Sequence, residues 1–122
     1  MVPRLIAFDL DGTLWRPEMY ELWGGGAPFT LDDCNTLQDR KQTKVRLLGE
    51  TAAIMEELRH APYADTTVVW VSCTDEPSWA AECLQKFVTS DGVTPLRDVC
   101  DSKLNKIFKV SLPNTAQLLC SF

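Results

Sequence analysis

Two aspartates, Asp9 and Asp11, stand two positions apart directly behind an apolar run at residues 5–8, with Gly12 and Thr13 following. Two carboxylates at this spacing in an irregular loop can point in different directions. One can then act as a nucleophile while the other donates a proton and afterwards activates water. Crowded carboxylates repel one another, and a divalent cation removes that cost. Asp9 and Asp11 are thus candidate metal ligands as well as candidate catalytic groups. Gly12 permits a tight turn, and Thr13 can hydrogen-bond a carboxylate to fix its orientation. The stretch reads as a phosphoryl-transfer site. A plainer reading makes one aspartate a helix cap and the other a solvated turn residue. It leaves the apolar run ahead of the pair and the Gly-Thr-Leu behind it without a purpose.

Such a site needs elements that hold it. The run at 5–8 suits a strand buried on both faces of a parallel sheet, and "TTVVWV" at 66–71 is a second run, rich in β-branched residues. Between them, "GETAAIMEELRHAP" carries Thr51, Ile54, Met55 and Leu58 at helical spacing and is closed by Pro62, with His60 at the helix end. "DEPSWAAECLQKF" predicts a second helix, with Pro77 at its first position, Asp75 and Glu76 as caps, and Ala80, Cys83, Leu84 and Phe87 on one apolar face. The segment "SKLNKIFKVSL" predicts a short helix stopped by Pro113 and Asn114, ahead of the apolar "TAQLLCSF".

Strand, helix, strand, helix in this order predicts an α/β fold with a mainly parallel, Rossmann-like sheet. Ligands of such sheets bind beyond the carboxyl ends of the strands, which brings Asp9 and Asp11 to one edge with Ser72 and its neighbour Cys73. Cys73 is not read as a thiol nucleophile, because no CxxxxxR phosphate loop surrounds it. Roughly thirty residues separate Trp15 from the first helix, well beyond an ordinary loop. That span holds Gly24, Gly25 and Gly26 and ends in "KVRLL", so residues 16–48 are predicted to form a small hairpin-type cap folded over the sheet edge as a lid. Trp15 and Trp23 are expected to pack it onto the sheet. The whole chain, 1–122, reads as one domain with an atypical tail at 110–122.

A net charge of −5 and the lack of any basic run argue against a nucleic-acid partner. The sign is no bar to a phosphate substrate, since a bound cation reverses the local field. Five cysteines at scattered spacings, with no CxxC, indicate reduced thiols rather than a disulfide framework or zinc ribbon. No segment approaches transmembrane length and none reads as a signal peptide, so the expectation is a cytoplasmic protein with no membrane partner.

"FDLDGTLW" resembles the DxDGT nucleophile motif of the haloacid dehalogenase superfamily, in its phosphatase branch; the dehalogenases lack the second aspartate, present here as Asp11. The chain is most similar to the eukaryotic magnesium-dependent phosphatases, which resemble acid phosphatases of the same superfamily. "APF" at 27–29, "VRLLGE" leading into a helix and "VSCTDE" at 71–76 follow in that family's order and spacing, over about residues 4 to 110. The resemblance implies Mg²⁺-dependent hydrolysis of a phosphomonoester, either a sugar phosphate or a protein phosphotyrosine. It implies that Asp9 attacks phosphorus to form an aspartyl-phosphate. Asp11 would protonate the leaving oxygen, activate water, and turn its backbone carbonyl toward Mg²⁺ beside an Asp9 oxygen. It also implies that Ser72, with Cys73 beside it, meets the phosphoryl group. Lys103 in "DSKLNKIF", or Lys106 nearby, would offset negative charge.

The family continues to a further strand ending in an acidic pair, whereas no aspartate or glutamate follows Asp101 here. The C-terminal part is accordingly expected to be incomplete, with a bare sheet edge open to self-association. A second reading stays open beside the enzyme: a relative that binds phosphate or metal without turnover.

Overall fold

In the computed structural model, whose described residues are 2–100 and 107–109, the chain runs through eleven short elements. They are β1 (Leu5–Asp9), β2 (Trp15–Arg16), a 3-10 turn (Met19–Leu22), β3 (Thr30–Leu31), β4 (Thr36–Gln38), β5 (Lys44–Leu47), α1 (Thr51–Glu57), β6 (Thr67–Ser72), α2 (Pro77–Lys86), a second 3-10 turn (Leu96–Val99) and β7 (Ile107–Lys109). Three strands form a parallel sheet in the order β1-β6-β7. Its central strand is the β-branched run, whose Val68, Val69 and Trp70 are buried, as expected where both neighbouring positions are filled. The register sets Asp9 opposite Val71 and Lys109 opposite Ser72. The α/β class expected from the sequence is therefore present.

Several local expectations are corrected. Ile107–Lys109 is a strand, not part of a helix. Isoleucine and phenylalanine favour a pleated surface, and a run this short carries too little periodicity to separate the two states. The remainder of that predicted helix, with Lys103 and Lys106, lies outside the described residues. β1 is also less buried than its apolar run implied. Only Ala7 is buried and Leu5 is 58% exposed, because β1 has a single sheet neighbour, β6, among the described residues.

Both helices form. In α2, Pro77 opens the helix, and Ala80, Cys83 and Leu84 are buried with Phe87 just beyond the end. The acidic residues do not cap it through their side chains. Instead the Thr74 hydroxyl accepts the Glu76 backbone N–H at 3.0 Å. In α1 the buried stripe is Thr51, Met55 and, past the end, Leu58, whereas Ile54 is 45% exposed. Positions 51, 55 and 58 already make a complete stripe, which leaves 54 at its margin. No helix among the described residues is long and apolar enough to cross a membrane.

The chain between β1 and α1 folds into a four-stranded antiparallel sheet, β2-β5-β4-β3, that contains the expected hairpin as β4 and β5. Its apolar side joins the same core as the parallel sheet: Trp15, Met19, Leu22, Phe29, Leu37 and Val45 cluster with Met55, Trp70, Leu84 and Phe87. Trp15 stacks on Phe87 with ring centroids 5.9 Å apart. The Phe29 N–H donates to Glu82 Oε2 of α2 at 2.6 Å, and Asn35 bonds both the N–H and the C=O of Val88. Trp23, expected to help in this packing, is 83% exposed; Met19 and Leu22 of the 3-10 turn fill that role.

Candidate active site

Parallel pairing of β1 with β6 makes both strands end at the same edge, and this alone brings Asp9 and Ser72 together. Beyond β1 the chain must turn at once, because Leu10 is fully buried. Gly12 takes the left-handed backbone, φ +76°, which costs a glycine little. The Thr13 and Leu14 N–H groups close the turn on the Leu10 carbonyl at 3.0 and 2.8 Å. Asp9 and Asp11 are thereby held on the two arms of a tight, internally bonded loop.

An open cleft of about 270 Å³ lies at this edge. Asp9, Asp11, Ser72 and Cys73 all line it, so four of the five site residues expected from the sequence come together. The fifth, Lys103, lies outside the described residues. Glu18, Tyr20, Thr74 and Asp75 line the cleft as well. Glu18 and Tyr20 arrive from the antiparallel sheet's side, and sequence spacing gave no signal for them, since their approach depends on the path of the chain after β2.

The two aspartates are tethered differently. Thr13 Oγ1 donates to Asp9 Oδ2 at 3.1 Å, as the sequence suggested. Asp11 Oδ1 instead accepts the indole N–H of Trp15 at 2.8 Å. Burial pushes the Asp9 carboxyl above its ordinary value, while bonds from Thr13 and the Leu10 backbone pull it back and the Glu18 charge adds to the rise. Burial also raises Asp11, against the pull of bonds from Trp15 and the Met19 backbone, with Glu18 and Asp9 adding repulsion. Burial is the main cause of both shifts, and the neighbouring carboxylates add to it, with no cation among the described residues that line the cleft.

Ser72 is buried, and its Oγ accepts the Thr74 N–H at 3.1 Å. A hydroxyl that accepts there still has its own O–H to donate. Cys73 is exposed at the cleft. Among the described residues no three His, Cys, Asp or Glu side chains gather closely enough to hold a metal by themselves.

The strand that ends in the Asp-x-Asp-Gly-Thr turn thus faces the hydroxyl-bearing loop of its parallel neighbour across one cleft. The chain matches the family described as Acid Phosphatase over residues 1–111, and it belongs to that haloacid-dehalogenase-like family. Membership supports a phosphatase activity. No curated protein matches the chain.

Proposed function

We propose that the chain hydrolyses phosphomonoesters in a Mg²⁺-dependent reaction through an aspartyl-phosphate on Asp9. The observation that carries this reading is the sharing of one cleft by two carboxylates with separate tethers, Asp9 on Thr13 and Asp11 on Trp15. The reading treats the parallel strands as part of a Rossmann-like sheet, with substrate beyond their carboxyl ends.

In the first half-reaction an Asp9 oxygen attacks phosphorus, and the bond from phosphorus to the ester oxygen breaks. Asp11, protonated at the start, gives its proton to that departing oxygen. In the second half, the Asp11 carboxylate takes a proton from water as the water oxygen attacks the aspartyl-phosphate. Inorganic phosphate leaves, the Asp9 carboxylate is restored, and Asp11 is protonated again. Burial raises the Asp11 carboxyl, the direction that favours the protonated form an acid needs. The Ser72 hydroxyl, with Cys73 and Thr74 beside it, supplies donors to the phosphoryl oxygens. Lys103 is the proposed cationic partner.

The oxygen donors of Asp9 and Asp11 fit Mg²⁺, which is commonly held by one or two carboxylates, substrate phosphate and waters. When bound, the ion would screen the charge on the attacked phosphoryl group. The open cleft suits a sugar phosphate or a protein phosphotyrosine, and the scattered cysteines favour a cytoplasmic setting.

Turnover of a small aryl phosphate tests the reading. Asp9→Asn should abolish it while leaving the fold intact, because an amide does not attack phosphorus. Asp11→Asn should cost about 10²–10⁴-fold on alkyl phosphates, which need the proton, and much less on activated aryl esters. Unchanged activity in purified Asp9→Asn would remove Asp9 from the mechanism. Phosphate binding by a wild-type chain that turns over no ester would favour the non-catalytic relative.

A further inference from the structure

We infer that Trp15 is a positioning residue for this reaction, its indole N–H aiming Asp11 at the leaving oxygen; the inference rests on the acid role proposed for Asp11. The indole donates to Asp11 Oδ1 at 2.8 Å. An indole N–H can only donate, so Oδ1 is the acceptor oxygen of this carboxyl and the transferable proton belongs on Oδ2. The bond therefore selects which oxygen does the chemistry, besides fixing where the group points.

The donor itself cannot wander. Trp15 is fully buried, and its ring is stacked on Phe87 at 5.9 Å with 24° between the planes. Its strand pairs with β5, Trp15 lying opposite Leu47. Its carbonyl accepts the Gly12 N–H at 2.9 Å, which ties it to the catalytic turn through the backbone too. The antiparallel sheet thus reaches the chemistry through one nitrogen.

A phenylalanine, though smaller than the indole, would keep an aromatic ring against the same partner. The N–H is what it would lack, and the buried indole of Trp70, whose Nε1 finds no partner among the described residues, illustrates that this core holds a tryptophan without bonding it. A bonded indole at Trp15 is therefore not a general demand of packing here. It serves the carboxyl that it touches.

The test measures kcat and KM on an alkyl phosphate and on p-nitrophenyl phosphate. Trp15→Phe should lose about 10–100-fold more kcat on the alkyl ester than on the activated one, with KM little changed, as loss of acid catalysis requires. Phe87→Leu loosens the same packing but keeps the N–H, and should lower both rates in equal proportion. Should Trp15→Phe fail to fold, β-(3-benzothienyl)alanine at position 15 keeps the ring shape and removes only the donor, and the same selective loss is expected. Equal losses on the two substrates for the donor-free variant would overturn the inference. Asp11→Asn run alongside separates the two claims. If it too is indifferent to the leaving group, the acid role itself fails; if it is selective and the Trp15 variant is not, only the positioning role fails.

Discussion

At the scale of single residues, the cleft is a place where function opposes stability. The Asp9 and Asp11 carboxyls lie above their ordinary value of 3.8, burial being the main cause in each. A carboxyl raised on folding adds stability in its protonated form below the unfolded value. That contribution is lost as pH rises through the folded value. At neutral pH each aspartate is therefore a cost to the chain without a cation. Asp11→Asn, whose amide oxygen can still accept from Trp15, should raise Tm at pH 7 in chelator. The gain should vanish near pH 3, where the wild-type group is also neutral. Thermal melts at the two pH values check this, and a lower Tm for the variant at pH 7 would contradict it. The placing of Asp9 and Asp11 at one cleft was legible in the sequence, because a strand-end turn is a local feature: residue types at fixed offsets behind a strand. Glu18 and Tyr20 were not legible, because nothing local to them says that the chain folds back over Asp9.

At the scale of elements, legibility followed the length and regularity of the apolar pattern. Ala80, Cys83, Leu84 and Phe87 repeat at three and four positions and gave α2 outright, while the three residues of β7 had no period to read. The antiparallel sheet is a harder case, since a polar side chain organises it. Asp39, 4% exposed at the β4–β5 turn, accepts the N–H groups of Gly26 at 2.9 Å, Lys41 at 2.9 Å and Thr43 at 2.8 Å. Burial alone would raise its carboxyl, but these bonds and the Lys41 charge outweigh it and hold the group below its ordinary value. Asp39→Ala strands three backbone donors and should cost about 2–3 kcal/mol in a denaturant melt. The sign of the pH effect is opposite to that of Asp11. A depressed carboxyl stabilises above the unfolded value and loses that contribution as pH falls through the folded one, so the difference between wild type and Asp39→Ala should shrink in acid. A cost under about 0.5 kcal/mol, the range of an ordinary surface change, would mean that this turn is held by its backbone alone. Gly26 belongs to the same junction. A Cβ there would lie 2.2 Å from the Trp79 ring of α2, and its φ is +86°, so only glycine lets the sheet meet the helix.

At the scale of the whole molecule, the described part of the parallel sheet is asymmetric. β6 is flanked on both sides, while β1 pairs on one side only. Beside β1 runs a shallow apolar groove lined by Pro3, Ile6, Phe8, Leu58 and Tyr63, with Leu5 58% exposed and Ile54 45% exposed. An edge strand with unpaired backbone groups and apolar flanks is a template for another strand. One strand available to it is the β1 of a second copy. Antiparallel pairing of two β1 strands about Ala7 sets Ile6 of one chain opposite Phe8 of the other, twice over, which gives a closed two-fold contact instead of an open filament. The chain is thus expected to dimerise with concentration in sedimentation velocity and to bind a hydrophobic dye when dilute. Leu5→Lys puts a charge on the edge, the device by which natural edge strands resist pairing, and should weaken the dimer by at least about tenfold, or about 1.4 kcal/mol. A monodisperse monomer at high concentration, with a sharp cooperative melt and no dye binding, would contradict this and would mean that the chain covers its own edge.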